Sequence, residues 1–100
     1  MTTLHILNAS PVQSTQLNSC LRVLTDDDGI VLCGEAVQLL RKGSIALRKL
    51  LDFDGSYRLY ALSEDIQARG IDTKRMPVTM LDYPDFVALC VDYTRVNSWT

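Results

Sequence analysis

The chain has 100 residues, 47% of them hydrophobic and 22% charged, with a formal net charge of −2. That length supports one core, so residues 1–100 are expected to form a single domain. The acidic balance argues against a stand-alone nucleic-acid binder, which carries a basic stripe. No apolar run reaches the roughly 18 residues of a spanning helix and no signal-peptide pattern opens the chain, so the expected location is cytoplasmic.

Thr3, Leu4, Ile6 and Leu7 read as a mostly buried strand. Asn8, Ala9, Ser10 and Pro11 end it, since Pro11 has no amide hydrogen and pushes Ser10 away from helical geometry. Ser14 or Thr15 then caps a helix whose apolar stripe is Leu17, Cys20, Leu21 and Leu24. Thr25 to Gly29 is a turn whose three aspartates repel one another and stay in water, and Ile30 to Cys33 is a strand covered on both faces. Gly34 ends it. Glu35 to Leu40 forms a helix with Ala36, Val37 and Leu40 inward, closed by Arg41, Lys42 and Gly43.

Ser44 is a fair cap for a helical stretch through Ile45, Leu47, Leu50 and Leu51, and Asp52 to Ser56 turns into a third strand, Tyr57 to Leu62. Ser63 caps the next helix, with Glu64 and Asp65 in its first turn and Gly70 at its end. Ile71 to Met76 connects to a fourth strand, Val78 to Leu81, after Pro77. Asp82 to Asp85 leads into a last helix with Phe86, Val87 and Cys90 inward and Leu89 at the margin. Val96 to Trp99 is either a fifth strand or a tail packed on the sheet. Strands alternating with short helices predict a three-layer α/β/α sandwich on a mainly parallel sheet of about five strands. Reactive groups in such folds gather beyond the carboxyl ends of the strands, here the loops 8–14, 34–35, 63–65 and 82–85.

The three cysteines, Cys20, Cys33 and Cys90, include no CxxC pair, and His5 is the only histidine, so one chain offers no paired metal ligands. None of the phosphate-loop, dinucleotide, nucleophile-elbow or zinc-protease motifs is present. Cys20 lies too far into its helix for the dipole to favour a thiolate, and a small apolar core thiol is the simpler reading. Cys33 and Cys90 read as structural by the same logic. His5 reads as a satisfied core or interface histidine, Glu64 and Asp65 as helix-start charges, and Asp82 as a cap. Trp99 is either the last piece of core or an interface anchor.

Leu4-His5, Asn8 and Ser10-Pro11, then Tyr60-Ala61-Leu62, Glu64-Asp65 and Ala68-Arg69-Gly70, then Asp82-Tyr83, Asp85-Phe86-Val87 and Trp99, run in one order along nearly the full length apart from residues 43–57. In this run the chain resembles the TusB/DsrH family of sulfur-relay proteins. The resemblance implies a DsrE/F/H-like fold with no cofactor and no metal. It also implies a hexamer with TusC/TusD-like (DsrF/DsrE-like) subunits, two copies of each, served by small sulfur-donor and sulfur-acceptor carrier proteins. In the Tus branch persulfide sulfur moves toward 2-thiolation of the tRNA wobble uridine, with no direct nucleic-acid or membrane contact. In the Dsr branch a similar complex serves dissimilatory sulfur oxidation. The main relay cysteine of the family belongs to a partner subunit. DsrH-like members, however, carry a cysteine in the context Ser10-Pro11, Leu17 and Ser19-Cys20-Leu21, which makes Cys20 the candidate catalytic, sulfur-carrying residue here. Glu35-Ala36 stands where the family often has Asp-Gly. A plain α/β interaction module with three structural cysteines is the alternative of another class, and an isolated subunit is expected to be able to self-associate.

Overall fold

The computed structural model describes residues 2–10, 15–53, 55–74 and 76–99. Five strands, β1 (Thr3–Leu7), β2 (Asp28–Leu32), β3 (Tyr57–Leu62), β4 (Thr79–Leu81) and β5 (Arg95–Trp99), form one sheet in the order β4-β3-β2-β1-β5. Every neighbouring pair is parallel. The expected three-layer α/β architecture is therefore the observed one, and Arg95 to Trp99 is a strand rather than a tail. In register, His5 lies opposite Ile30 on one side and Asn97 on the other.

The helices are α1 (Gln16–Val23), α2 (Ile45–Leu51), α3 (Ser63–Ala68) and α4 (Tyr83–Asp92), with a 3₁₀ helix over Gly34–Leu40. Strand alternation assigns each residue to a face. Leu7, Ile30, Leu32, Leu59 and Ala61 point toward α1, the 3₁₀ helix, α2 and α3, where Leu17, Cys20, Val37, Leu40, Leu50 and Ile66 close the larger core. Leu4, Val31, Tyr60 and Leu81 face the other way and meet Phe86, Leu89, Cys90 and Tyr93 of and after α4. One side of the sheet is thus covered by several short helices and the other by α4 alone. Gly29 on β2 makes this close approach possible, because a Cβ there would run into the Tyr93 hydroxyl and Leu4.

Several expectations are corrected by this packing. Residues 34–40 wind as a 3₁₀ helix starting at Gly34, whose φ of +53° is a left-handed conformation that glycine adopts at no steric cost. Asp28 does not stay in water but opens β2 with 2% exposure. On α4 Val87 points outward, 61% exposed, while Leu89 packs inward with Phe86 and Cys90. Ser63 is the first helical residue of α3 rather than its cap, which is Leu62. Thr15 precedes α1 without a side-chain capping bond, and Pro11 and Ser14 lie outside the described residues. Ser44 and Asp82 cap as expected, accepting from the amides of Leu47 at 3.1 Å and Asp85 at 2.9 Å. No helix among the described residues is long and apolar enough to cross a membrane.

Candidate functional site

In a parallel sheet the ligand crevice opens beyond the carboxyl ends of the strands, where the strand order reverses. The order here reverses at β1, which has β2 on one side and the last strand, β5, on the other. Among the described residues, one of the chain's own side chains bridges the strand ends there. Gln16, the first residue of α1, accepts from the amides of Asn8 and Ala9 through Oε1 at 3.3 and 3.2 Å. Its Nε2 donates to Asn8 Oδ1 at 3.2 Å and to the Trp99 carbonyl at 2.7 Å. One side chain therefore laces the ends of β1 and β5 together, and nothing in the sequence pattern singled it out.

The neighbouring loops are tied in the same manner. The Gly34 amide donates to Asp65 Oδ2 at 2.8 Å, and the Tyr83 amide donates to Glu64 Oε2 at 3.2 Å. Arg69 pairs with Glu35 at 2.9 Å and with Asp65 at 3.5 Å. The Arg69 guanidinium, by hydrogen bond and charge, holds the Glu35 carboxyl below its usual range. Glu35, Glu64 and Asp65 are each engaged with an arginine or an amide, so this rim is built as a collar rather than as an acid–base pair. The helix-start reading of Glu64 and Asp65 was right about where they sit but missed the loops they clasp.

Beneath the rim lies a buried polar chain. Trp99 Nε1 donates to His5 Nδ1 at 3.1 Å, and His5 Nε2 meets Asp28 Oδ2 at 3.2 Å. An indole can only donate, so Nδ1 must accept and the proton sits on Nε2, from which it is given to Asp28. Asp28 also accepts from the amides of Thr3 at 2.9 Å and Thr25 at 3.1 Å. Burial works to raise the Asp28 pKa, but these amides and His5 outweigh it and hold the carboxyl below its ordinary value. His5 is thus the satisfied core histidine the sequence suggested, and half-buried Trp99 is a piece of the core by this bond.

The sulfur candidates sit differently. Cys20 is 0% exposed, wedged between α1 and the sheet, and its thiol is pushed up to about 12 by burial first and by the Asp28 carboxylate second. Cys33 follows β2 at the carboxyl-end rim, half-buried, with Sγ donating to the Leu7 carbonyl at 3.5 Å. Burial and the Asp65 carboxylate push its thiol up as well. Cys90 packs on the second face of the sheet. The cysteines are not brought together, and among the described residues no cluster of three or more His, Cys, Asp or Glu side chains offers a metal site.

The family described as DsrH like protein matches residues 9–96. Protein TusB of Buchnera aphidicola (subsp. Baizongia pistaciae) is 35% identical over 97 residues, covering 96% of this chain and 99% of the relative. Protein TusB of Escherichia coli is 32% identical over the same shares of both chains. Among solved structures, the ychN protein of Escherichia coli superposes with a TM-score of 0.73 at 19% identity, covering 99% of this chain and 100% of its own. Protein Tm0979 of Thermotoga maritima does so with a TM-score of 0.64 at 19% identity, over 90% and 92%. At that identity the two structures speak for the fold alone.

Proposed function

This chain belongs to the DsrH-like family, and from that premise we propose that it is a subunit of a cytoplasmic sulfur-relay complex. The complex passes persulfide sulfur toward 2-thiolation of the tRNA wobble uridine, and the chain assembles there with TusC/TusD-like subunits. The observation that supports this most is a nearly full-length family match combined with strand ends that the chain's own Gln16 ties together. A chain built in that way suits a supporting subunit better than a self-sufficient enzyme.

A relay step needs an accessible thiolate. It attacks the outer sulfur of the donor persulfide, forms a new S–S bond and releases the donor as a thiolate. Cys20 is enclosed and held protonated. We therefore assign it to packing and place the sulfur-bearing thiol on a partner subunit.

Deleting the gene and measuring 2-thiouridine in bulk tRNA tests both halves of the reading. The level is expected to fall on deletion and to return with either the wild type or Cys20→Ala. An unchanged level in the deletion strain removes the tRNA role. A Cys20→Ala chain that still assembles but restores nothing puts the sulfur on Cys20, as the sulfur-oxidation reading of the family has it.

A further inference from the structure

Charge is unevenly placed on this molecule. The stretch from Ala36 to Leu51 holds four cations, Arg41, Lys42, Arg48 and Lys49, and no carboxylate, whereas the remaining six cations share the chain with all twelve carboxylates. Three of the four, Arg41, Lys42 and Lys49, line a cleft of about 670 Å³ between α1 and the start of α2. Its apolar wall is Leu17, Ala46 and Ile45, and Ile45 is 77% exposed. Among the described residues Glu35 is the only carboxylate of the lining, and it is already paired with Arg69. Among the described residues Lys42 and Lys49 have no ion pair. Among the described residues the Arg41 guanidinium is held by two neutral acceptors, the Gln38 side chain and the Arg69 carbonyl. Its charge is thus fixed in position and left uncompensated.

We propose that this cleft docks an acidic, apolar-tipped segment of a partner protein, with carboxylates on Arg41, Lys42 and Lys49 and an apolar side chain against Ile45 and Ala46. The features that favour such a segment over RNA are on the same surface. Among the described residues no aromatic side chain lines the cleft to stack a base. The rest of the chain is strongly acidic and repels a polyanion. Exposed isoleucine beside fixed cations matches the make-up of a protein interface, where an apolar contact supplies affinity and the charges supply orientation and encounter rate. A second hollow, of about 830 Å³, lies on the far side of Arg41 and Lys42 toward Lys74 and Met76, with Asp72 also in its lining. The inference goes beyond the relay reading, because it concerns what the surface binds and not what the assembly transfers.

The test uses the full chain, labelled with nitrogen-15 and titrated with three probes. These are a short peptide of glutamates interspersed with leucines, the same peptide with glutamines in place of glutamates, and an oligouridylate of matched length. The acidic peptide is expected to shift amides of residues 41–49, with affinity that falls as salt rises. The glutamine peptide, and the acidic peptide on a Lys42→Glu, Lys49→Glu double variant, should bind at least about tenfold more weakly, equivalent to about 1.4 kcal/mol. Both lysines are exposed, so the double variant should keep the wild-type circular dichroism spectrum. No shift at millimolar peptide, equal binding of the glutamine peptide, or shifts confined to another face would overturn the proposal. Displacement of the peptide by oligouridylate would overturn it in favour of nucleic acid. If deletion of the gene leaves tRNA thiolation untouched while these shifts appear, the relay reading fails and the docking site stands.

Discussion

At the scale of single residues, Asp28 has the largest consequences. Its carboxylate joins Thr3 on β1, Thr25 ahead of β2 and His5, and through His5 it reaches Trp99 at the chain's end. Replacing it with Asn puts an amide group where two backbone amides and an imidazole proton converge. A buried donor then lacks an acceptor, and Asp28→Asn should destabilise by about 1–3 kcal/mol at pH 7 in urea unfolding. The folded carboxyl is held below the ordinary aspartate value of about 3.9, so its contribution is complete above that value and is lost as pH falls through the lower, folded one. The gap between wild type and Asp28→Asn should therefore narrow in strong acid. A gap that stayed constant from pH 7 down to pH 2 would mean the carboxylate charge is not what the site depends on. Cys20 supplies the second prediction at this scale. With no exposed surface and a thiol raised to about 12, it should react with a thiol reagent only when the fold opens. Its labelling rate should track global unfolding, and half-buried Cys33 and Cys90 should react first.

At the scale of elements, α4 is the one helix whose placement depends on a glycine under its exit. Tyr93, just past its end, lies over Gly29 of β2, and the two together let the second layer approach the sheet. Gly29→Ala forces the tyrosine ring and Leu4 aside. Overpacking of this kind costs typically about 1–3 kcal/mol, and the loss should appear as a lower urea midpoint with an unchanged slope. Truncating the ring as well, Gly29→Ala with Tyr93→Phe, removes the hydroxyl nearest the new methyl and should recover part of the loss. No recovery would place the strain elsewhere. The outward side of α4 shows why the helix misled the pattern reading. Tyr83, Val87 and Val91 repeat every four residues and look like a core stripe, yet they are 58%, 61% and 81% exposed. Two apolar stripes run along this helix, and periodicity does not say which one meets the sheet.

At the scale of the molecule, the return of the chain to β1 holds the architecture together. β5 pairs along all of β1 and covers what would otherwise be an exposed edge of a parallel sheet. Its own side chains contribute little burial, apart from Trp99. Its hold therefore rests on backbone pairing, the Trp99 indole on His5 and the Trp99 carbonyl on Gln16. A chain ending at Thr94 should unfold at a lower temperature and self-associate through the bared β1 edge, as read by scanning calorimetry and size-exclusion chromatography. If it stays as stable and as dispersed as the full chain, β5 is ornamental to the fold. The charge asymmetry belongs to this scale too. Arg41, Lys42 and Lys49 gather on one cleft, while Asp82 serves as a cap, Asp65 joins the rim collar and Asp28 anchors the buried chain under it.

From composition and pattern alone come the order of strands and helices, the α/β class, two of the caps and, through the motif run ending at Trp99, the family. These are local properties, since alternation, propensity and turn chemistry act over a few residues. Tertiary structure decided the rest. Asp28 looked like one of three solvated turn aspartates until β1 delivered His5 to it across 23 residues and β5 delivered Trp99 to His5 across 94. Gln16 carries no signal in the sequence pattern, and its bonds to Asn8 and the Trp99 carbonyl arise only once β1 and β5 lie side by side. The exposure of Cys20 was not legible in the helix pattern, because it depends on which face of α1 the sheet covers. Burial, hydrogen-bond partnership and the meeting of distant charges are relations between elements, and they come into being only when the sheet has closed.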